Sequence, residues 1–165
     1  MTSMLLHQVQ HFLEKASRGE GEGLPPHLIN EFKEMCGSAI ERQFSEKRGS
    51  KVRMSGVGKP LCQQKLSARD DIEEDVDYTL VMKFLFGDII EAIAVTVMKA
   101  AGVNIQSEQE GVSLEIGGTT LSGTYDVKID DKIYDIKSAA PGAFSMKFAA
   151  NRGYNNIKKD DVFGY

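Results

Sequence analysis

The run from Leu80 to Ala101 limits what this chain can become more than any other stretch. Its only charged residues are Lys83, Asp88, Glu91 and Lys99, set among leucines, isoleucines, valines, alanines and phenylalanines. So many charges exclude a membrane-spanning helix. A water-soluble helix that is apolar around most of its circumference belongs inside a domain, and this one is expected to be largely buried. Gly102 follows it, a favoured residue just past a helix C-terminus. Upstream, Asp70 to Asp77 carries six acids, whose charge suits the positive N-terminal end of the helix.

Glu91 is the anomaly within that run. It follows Ile89 and Ile90 and precedes Ala92, Ile93, Ala94 and Val95, which puts its carboxylate in or beside the core. A buried carboxylate must be paired, protonated or bound to metal. The alternative is a narrow polar stripe on a partly exposed helix. Gly87, one turn earlier on the same face, would let a strand or a ligand come close.

A second constraint lies in the stretch from Tyr125 to Lys137, which reads as a hairpin. With Asp130 and Asp131 as a two-residue turn, Ile129 pairs with Lys132 and, counting outwards, Asp126 lies opposite Asp135. Side chains alternate along a strand, so Tyr125, Val127, Ile129, Tyr134 and Ile136 make the apolar face. Asp126, Lys128, Asp135 and Lys137 point the other way. Directly opposed like charges repel, and a hard divalent cation held by carboxylates relieves that repulsion. An ordinary solvated outer face explains the same pattern.

Taken in order, Gly87-Asp88-Ile89-Ile90-Glu91 on a helix, Gly123-Thr124-Tyr125-Asp126 on a strand and Asp135-Ile136-Lys137-Ser138 on the next strand resemble the PD-(D/E)xK nuclease superfamily. The order and spacing are similar to its RecB-like exonuclease branch, including phage-encoded relatives of the CRISPR-associated iron-sulfur nucleases. The continuation from Ser138 to Phe148 looks like the segment that follows the lysine in those phage proteins. The resemblance covers roughly the second half of the chain. A lone D-x-K occurs by chance in most proteins, so the ordered set of three motifs carries the likeness. Tyr125 departs from the pattern by standing where the motif has proline.

The resemblance implies a chemistry residue by residue. Asp126 and Asp135 would ligate Mg²⁺ or Mn²⁺, with the backbone carbonyl of Ile136 as a further oxygen ligand. Glu91 would hold or orient a second ion or its waters. Lys137 would position the attacking water and stabilise charge on the scissile phosphate. The implied reaction is hydrolysis of phosphodiester bonds in DNA, in which metal ions polarise the phosphoryl oxygen and help generate hydroxide.

Charge along the chain is uneven although the net charge is only -4. That balance is unlike a protein that works only by coating nucleic acid. From Lys47 to Arg69 there are seven basic residues and no acidic one. With Gly49, Gly56, Gly58 and Pro60, this segment reads as a flexible loop able to contact phosphates, or equally as a solvated loop balancing the acidic run. The expected nucleic-acid contacts are Lys51, Arg53, Ser55 and Lys59, with Ser138 and Lys147 beyond the D-x-K strand.

Two cysteines, Cys36 and Cys62, do not suggest a disulfide framework. The residues from Arg53 to Gln63 look like the region where the iron-sulfur relatives place their first cluster cysteine, which makes Cys62 the candidate ligand. Those relatives carry three more cysteines near their C-termini, so a four-thiolate cluster requires a longer chain than this one. Cys36, on an apolar helix face, reads as a small core residue. The RecB-like pattern also continues into a helix with glutamine and tyrosine. Asp160 to Tyr165 looks like the approach to that helix, so the chain reads as a fragment.

The N-terminal half reads as helical. Ser3 to Ala16 makes an amphipathic helix with Leu5, Leu6, Val9, Phe12 and Leu13 on one side. Ser17 to Pro26 is a linker. His27 to Arg48 forms a longer helix that buries Leu28, Ile29, Phe32, Met35, Ile40 and Phe44. His7 and His11 stand one helical turn apart, a spacing that can chelate, but no third ligand is near and a surface role fits better. The start of the chain lacks the pattern of a signal peptide, which points to the cytoplasm, the host's if the protein is viral.

The expected fold is therefore α/β: a restriction-endonuclease-like mixed sheet packed on the Leu80 to Ala101 helix. A helical region over residues 1–78 precedes a nuclease core over 79–165. The expected activity is that of a metal-dependent deoxyribonuclease acting on DNA ends or single strands in replication, recombination or repair. Its rivals are a non-catalytic nucleic-acid-binding module on the same fold and an interaction protein whose Asp126, Asp135 and Lys137 are surface charges.

Overall fold

The structure, a computed structural model, describes residues 2–45, 56, 59–67, 69 and 77–138. Its elements are α1 (Thr2–Ser17), α2 (Pro26–Ser45), α3 (Leu61–Ser67), α4 (Tyr78–Ala100), β1 (Ile105–Ile116), β2 (Thr119–Ile129) and β3 (Lys132–Tyr134). The class is mixed α/β. By contact the chain forms two compact units. The first joins Met1–Glu46, Val76–Glu110 and Tyr125–Lys137; the second joins Lys47–Asp75, Gly111–Thr124 and Ser138–Tyr165. This grouping runs across the division at residue 78 drawn from the sequence, because α1 and α2 both pack on α4.

Helix α4 starts and stops where its sequence dictates. The Asp77 side chain accepts from the Thr79 N–H and from the Thr79 hydroxyl, filling one of the backbone donors a helix start leaves open. At the other end Gly102 takes φ 79°. That turn lets the Gly102 N–H donate to the Lys99 carbonyl and the Val103 N–H to the Met98 carbonyl, both at 3.0 Å. These two bonds form a Schellman stop, and buried Val103 supplies the apolar contact that accompanies it.

One flank of α4 enters the core through Leu85, Ala92, Val95 and Thr96. The Thr96 hydroxyl is satisfied by the Ala92 carbonyl at 2.8 Å. The expectation that the helix is largely buried does not hold all round. Met82, Phe86, Ile90 and Ile93 are exposed, one to two turns apart on the flank away from those four residues. Gly87 also differs from expectation: a Cβ built there would meet nothing within 4 Å.

The first unit's core is a cluster of Val95, Val103, Val127 and Ile129, with Met98, Ile105, Tyr134 and Ile136 packed around it. Leu5 and Val9 from α1 and Met35 from α2 close it. Leu6 and Leu13 of α1 are exposed instead of buried, as are Ile29, Ile40 and Phe44 of α2. The buried line of α2 runs through Leu28 and Ala39 with Met35 beside it. Ile40 and Phe44 fall off that line, since the seam is narrower than the full set of apolar residues.

Among the described residues the sheet has the order β1-β2-β3 and is antiparallel; the parallel strand of the expected mixed sheet is not among them. Two-residue turns at Gly117-Gly118 and Asp130-Asp131 join its strands, and such short links permit only antiparallel neighbours. The hairpin register is the expected one, with Val127 opposite Tyr134 and Ile129 opposite Lys132. Asp130 and Asp131 adopt φ 49° and 59°, the left-handed pair that a tight hairpin turn needs. The Asp131 N–H donates to Gln106 Oε1 at 2.8 Å, and Lys128 Nζ lies 3.1 Å from Asp131 Oδ1.

In the second unit, part of the basic segment expected as a loop is helix α3. Its first turn begins just after Pro60, and the Gln63 N–H donates to the Pro60 carbonyl at 2.9 Å. The hairpin tip there exposes Val112, Leu114 and Ile116.

Candidate active site at the end of the hairpin

The described hairpin ladder stops at Tyr134, and the candidate site begins one residue later. The Ile136 N–H, freed from the ladder, donates to Asp126 Oδ2 at 2.5 Å. That bond fixes one oxygen of the Asp126 carboxylate and ties the two strands together. Lys137 Nζ donates to Asp135 Oδ1 at 2.7 Å, an ion pair open to solvent. The fourth member arrives from α4. Glu91 is half-buried, and the Gln109 side-chain amide donates to its Oε1.

Electrostatics join these residues into one site. Burial pushes the Glu91 carboxyl above the usual carboxylate range, and the charge of Asp126 adds to the shift. Burial likewise raises Asp126, with Asp135 acting in the same direction against the Ile136 N–H. Burial opposes the charge on Lys137, yet its bond to Asp135 and the charges of Asp135, Asp126 and Glu91 lift its pKa. Asp126 thus acts on Glu91, and Lys137 senses all three carboxylates. Burial is the larger cause of both raised carboxyls, and a neighbouring carboxylate adds to each.

The donor set suits a hard cation: carboxylate oxygens and neighbouring backbone oxygen are what Mg²⁺ and Mn²⁺ take, with water completing the shell. Among the described residues, however, no group of three or more His, Cys, Asp or Glu side chains is arranged to hold a metal ion. One oxygen of each of Glu91, Asp126 and Asp135 is already engaged, by Gln109, the Ile136 N–H and Lys137 respectively. Ile136, expected to offer its carbonyl, is tied into the site through its N–H.

A cleft of about 450 Å³ between α2 and α4 opens beside Glu91. Arg42 Nη2 lies 3.0 Å from Asp88 Oδ2, and Gln43 Nε2 donates to the same oxygen at 2.8 Å. On the far side Lys99 bridges Glu31 at 2.7 Å and Glu108 at 2.6 Å. Sequence reading missed Arg42 and Gln109. Neither sits in a motif, and each is brought to Glu91 only by packing.

Lys51, Arg53, Ser55 and Lys147 lie outside the described residues, as does the continuation from Ala139 to Phe148. Lys59 and Ser138 are exposed and belong to the second unit. Cys62 is an exposed free thiol on α3, and Cys36 is half-buried on α2. His7 and His11 stand with ring centroids 6.4 Å apart and both are exposed. No described helix is long and apolar enough to cross a membrane. Comparison with known proteins returns no match among family models, curated proteins or solved structures.

Proposed function

We propose that this chain is a metal-dependent deoxyribonuclease whose site is Glu91, Asp126, Asp135 and Lys137, on a restriction-endonuclease-like core. The observation that carries the reading is their convergence. Of four residues singled out by order and spacing, on α4, on β2 and just beyond β3, Asp126 lies near enough to raise the proton affinity of half-buried Glu91, and Lys137 feels Asp135, Asp126 and Glu91. A surface charge pair of the hairpin alone has no need of Glu91.

Asp126 and Asp135 would hold the ion, with Glu91 orienting a second ion or its waters. A bound divalent ion supplies Lewis acidity and charge neutralisation at the scissile phosphate. The chain's own residues do the rest. The Ile136 N–H fixes the direction of the Asp126 carboxylate. Lys137, exposed beyond its bond to Asp135, can swing to a phosphate oxygen and align the attacking water. Preference for DNA ends, and a place in viral replication, recombination or repair, rest on the resemblance to the RecB-like branch.

The test is incubation of the protein with end-labelled single- and double-stranded DNA plus Mg²⁺ or Mn²⁺, beside Asp126→Ala and Lys137→Ala. Both substitutions are expected to abolish cleavage. Cleavage that survives both sinks the assignment, and salt-sensitive DNA binding without cleavage by the unaltered chain favours a non-catalytic binding module.

A further inference from the structure

Consecutive residues of a regular strand point to opposite faces. In β1 they do not. Glu108 reaches Lys99 and Gln109 reaches Glu91, and both partners lie on α4. Gln109 also has φ 48°, the left-handed region that a residue with a Cβ rarely occupies. The two observations are one: the left-handed step breaks the alternation and turns the Gln109 side chain toward the helix. The same break lets Ser107 and Glu110, three apart, both meet the Tyr125 hydroxyl. Local breaks of this kind re-aim side chains beside functional sites.

From this geometry we infer that Gln109 is a positioning residue, held on strained backbone so that its amide grips one oxygen of Glu91 and leaves the other directed at the cation site. The inference rests on the site proposed above. Among the described residues, no other hydrogen bond of the Gln109 side chain is found. It is exposed, adds nothing to the core, and its Nε2 donates to Glu91. Partners that orient a metal ligand contribute to affinity without touching the ion.

Two substitutions separate the amide from the backbone. Gln109→Gly removes the amide and relieves the left-handed strain, whereas Gln109→Ala removes the amide and keeps the strain. Binding of Mn²⁺ to the full chain is read from the loss of the free-ion electron paramagnetic resonance signal, with thermal melting followed in parallel. Both variants are expected to weaken Mn²⁺ binding by about tenfold, although Gln109→Gly melts no lower than the unaltered chain and Gln109→Ala melts lower than Gln109→Gly. A purely structural role predicts the opposite pattern, in which Gln109→Gly binds normally and affinity follows stability. Asp126→Ala is the control. If Asp126→Ala abolishes Mn²⁺ binding but both Gln109 variants bind like the unaltered chain, this inference alone is overturned. If the unaltered chain shows no Asp126-dependent binding, the site reading falls and this inference falls with it.

Discussion

Replacing Glu91 by glutamine should stabilise the protein at neutral pH while removing the proposed nuclease activity. Glutamine keeps an oxygen for the Gln109 amide to grip, so the contact survives and only the charge is lost. Two costs then disappear: the partial burial of a carboxylate and its repulsion with Asp126. Two unit charges about 4 Å apart interact by about 1 kcal/mol in bulk water and by about 4 kcal/mol at an effective dielectric of about 20. Because Glu91 is only half-buried, solvent screening brings that to about 0.5–1 kcal/mol. For a chain of this size, a melting temperature higher by about 1–4 °C follows.

The pH dependence identifies the cause. Glu91 and Asp126 both bind protons more tightly when folded, so their contribution to stability is full below the unfolded-chain values near 4 and is lost as pH rises through the folded ones. The advantage of Glu91→Gln is therefore expected near pH 7 and should vanish toward pH 4. Divalent cation should narrow it from the other side. At about ten times its dissociation constant a ligand stabilises by roughly 1.4 kcal/mol, and the unaltered chain should gain more of this than the variant. Circular dichroism melts at both pH values, with and without Mg²⁺, make the measurement. A variant that melts lower than the unaltered chain by the same amount at both pH values would refute the reasoning and make Glu91 a favourable structural anchor.

Two further substitutions probe the backbone that carries the site. Gly102→Ala forces a Cβ into the left-handed stop of α4 and is expected to cost about 1 kcal/mol in urea unfolding. Asp131→Gly places the residue a tight turn prefers at φ 59° and should add about 0.5 kcal/mol to stability, with the hairpin register unchanged by nuclear Overhauser contacts between Val127 and Tyr134.

Much of the first unit was legible because its signals are local. The hairpin register follows from the period-two pattern on either side of Asp130-Asp131, and α4 from an apolar run closed by Asp77 and Gly102. Glu91 stood out as a charge within that run. What the sequence hid depends on partners far along the chain. Burial of α4 on one flank only cannot be read from a helix that is apolar on both, and nothing local distinguishes exposed Ile40 and Phe44 from half-buried Met35. Gln109 is the clearest case. Its role needs a left-handed backbone angle and a carboxylate eighteen residues away, and neither leaves a mark in residue type.

The hairpin end shows how fold and site depend on each other. While strands pair, backbone amides serve backbone carbonyls and side chains only decorate the faces. Beyond Tyr134 the Ile136 amide serves the Asp126 carboxylate instead, so a side chain takes over the pairing where the ladder ends. Burial and the neighbouring Asp135 raise the proton affinity of Asp126 even though the Ile136 N–H favours its charged form. An arrangement built only for stability would place an amide or a hydroxyl there, since either could accept the Ile136 N–H without repulsion. The carboxylate makes physical sense if something positive completes it, and the same half-buried negative charge that costs the fold stability is what would attract a cation to it.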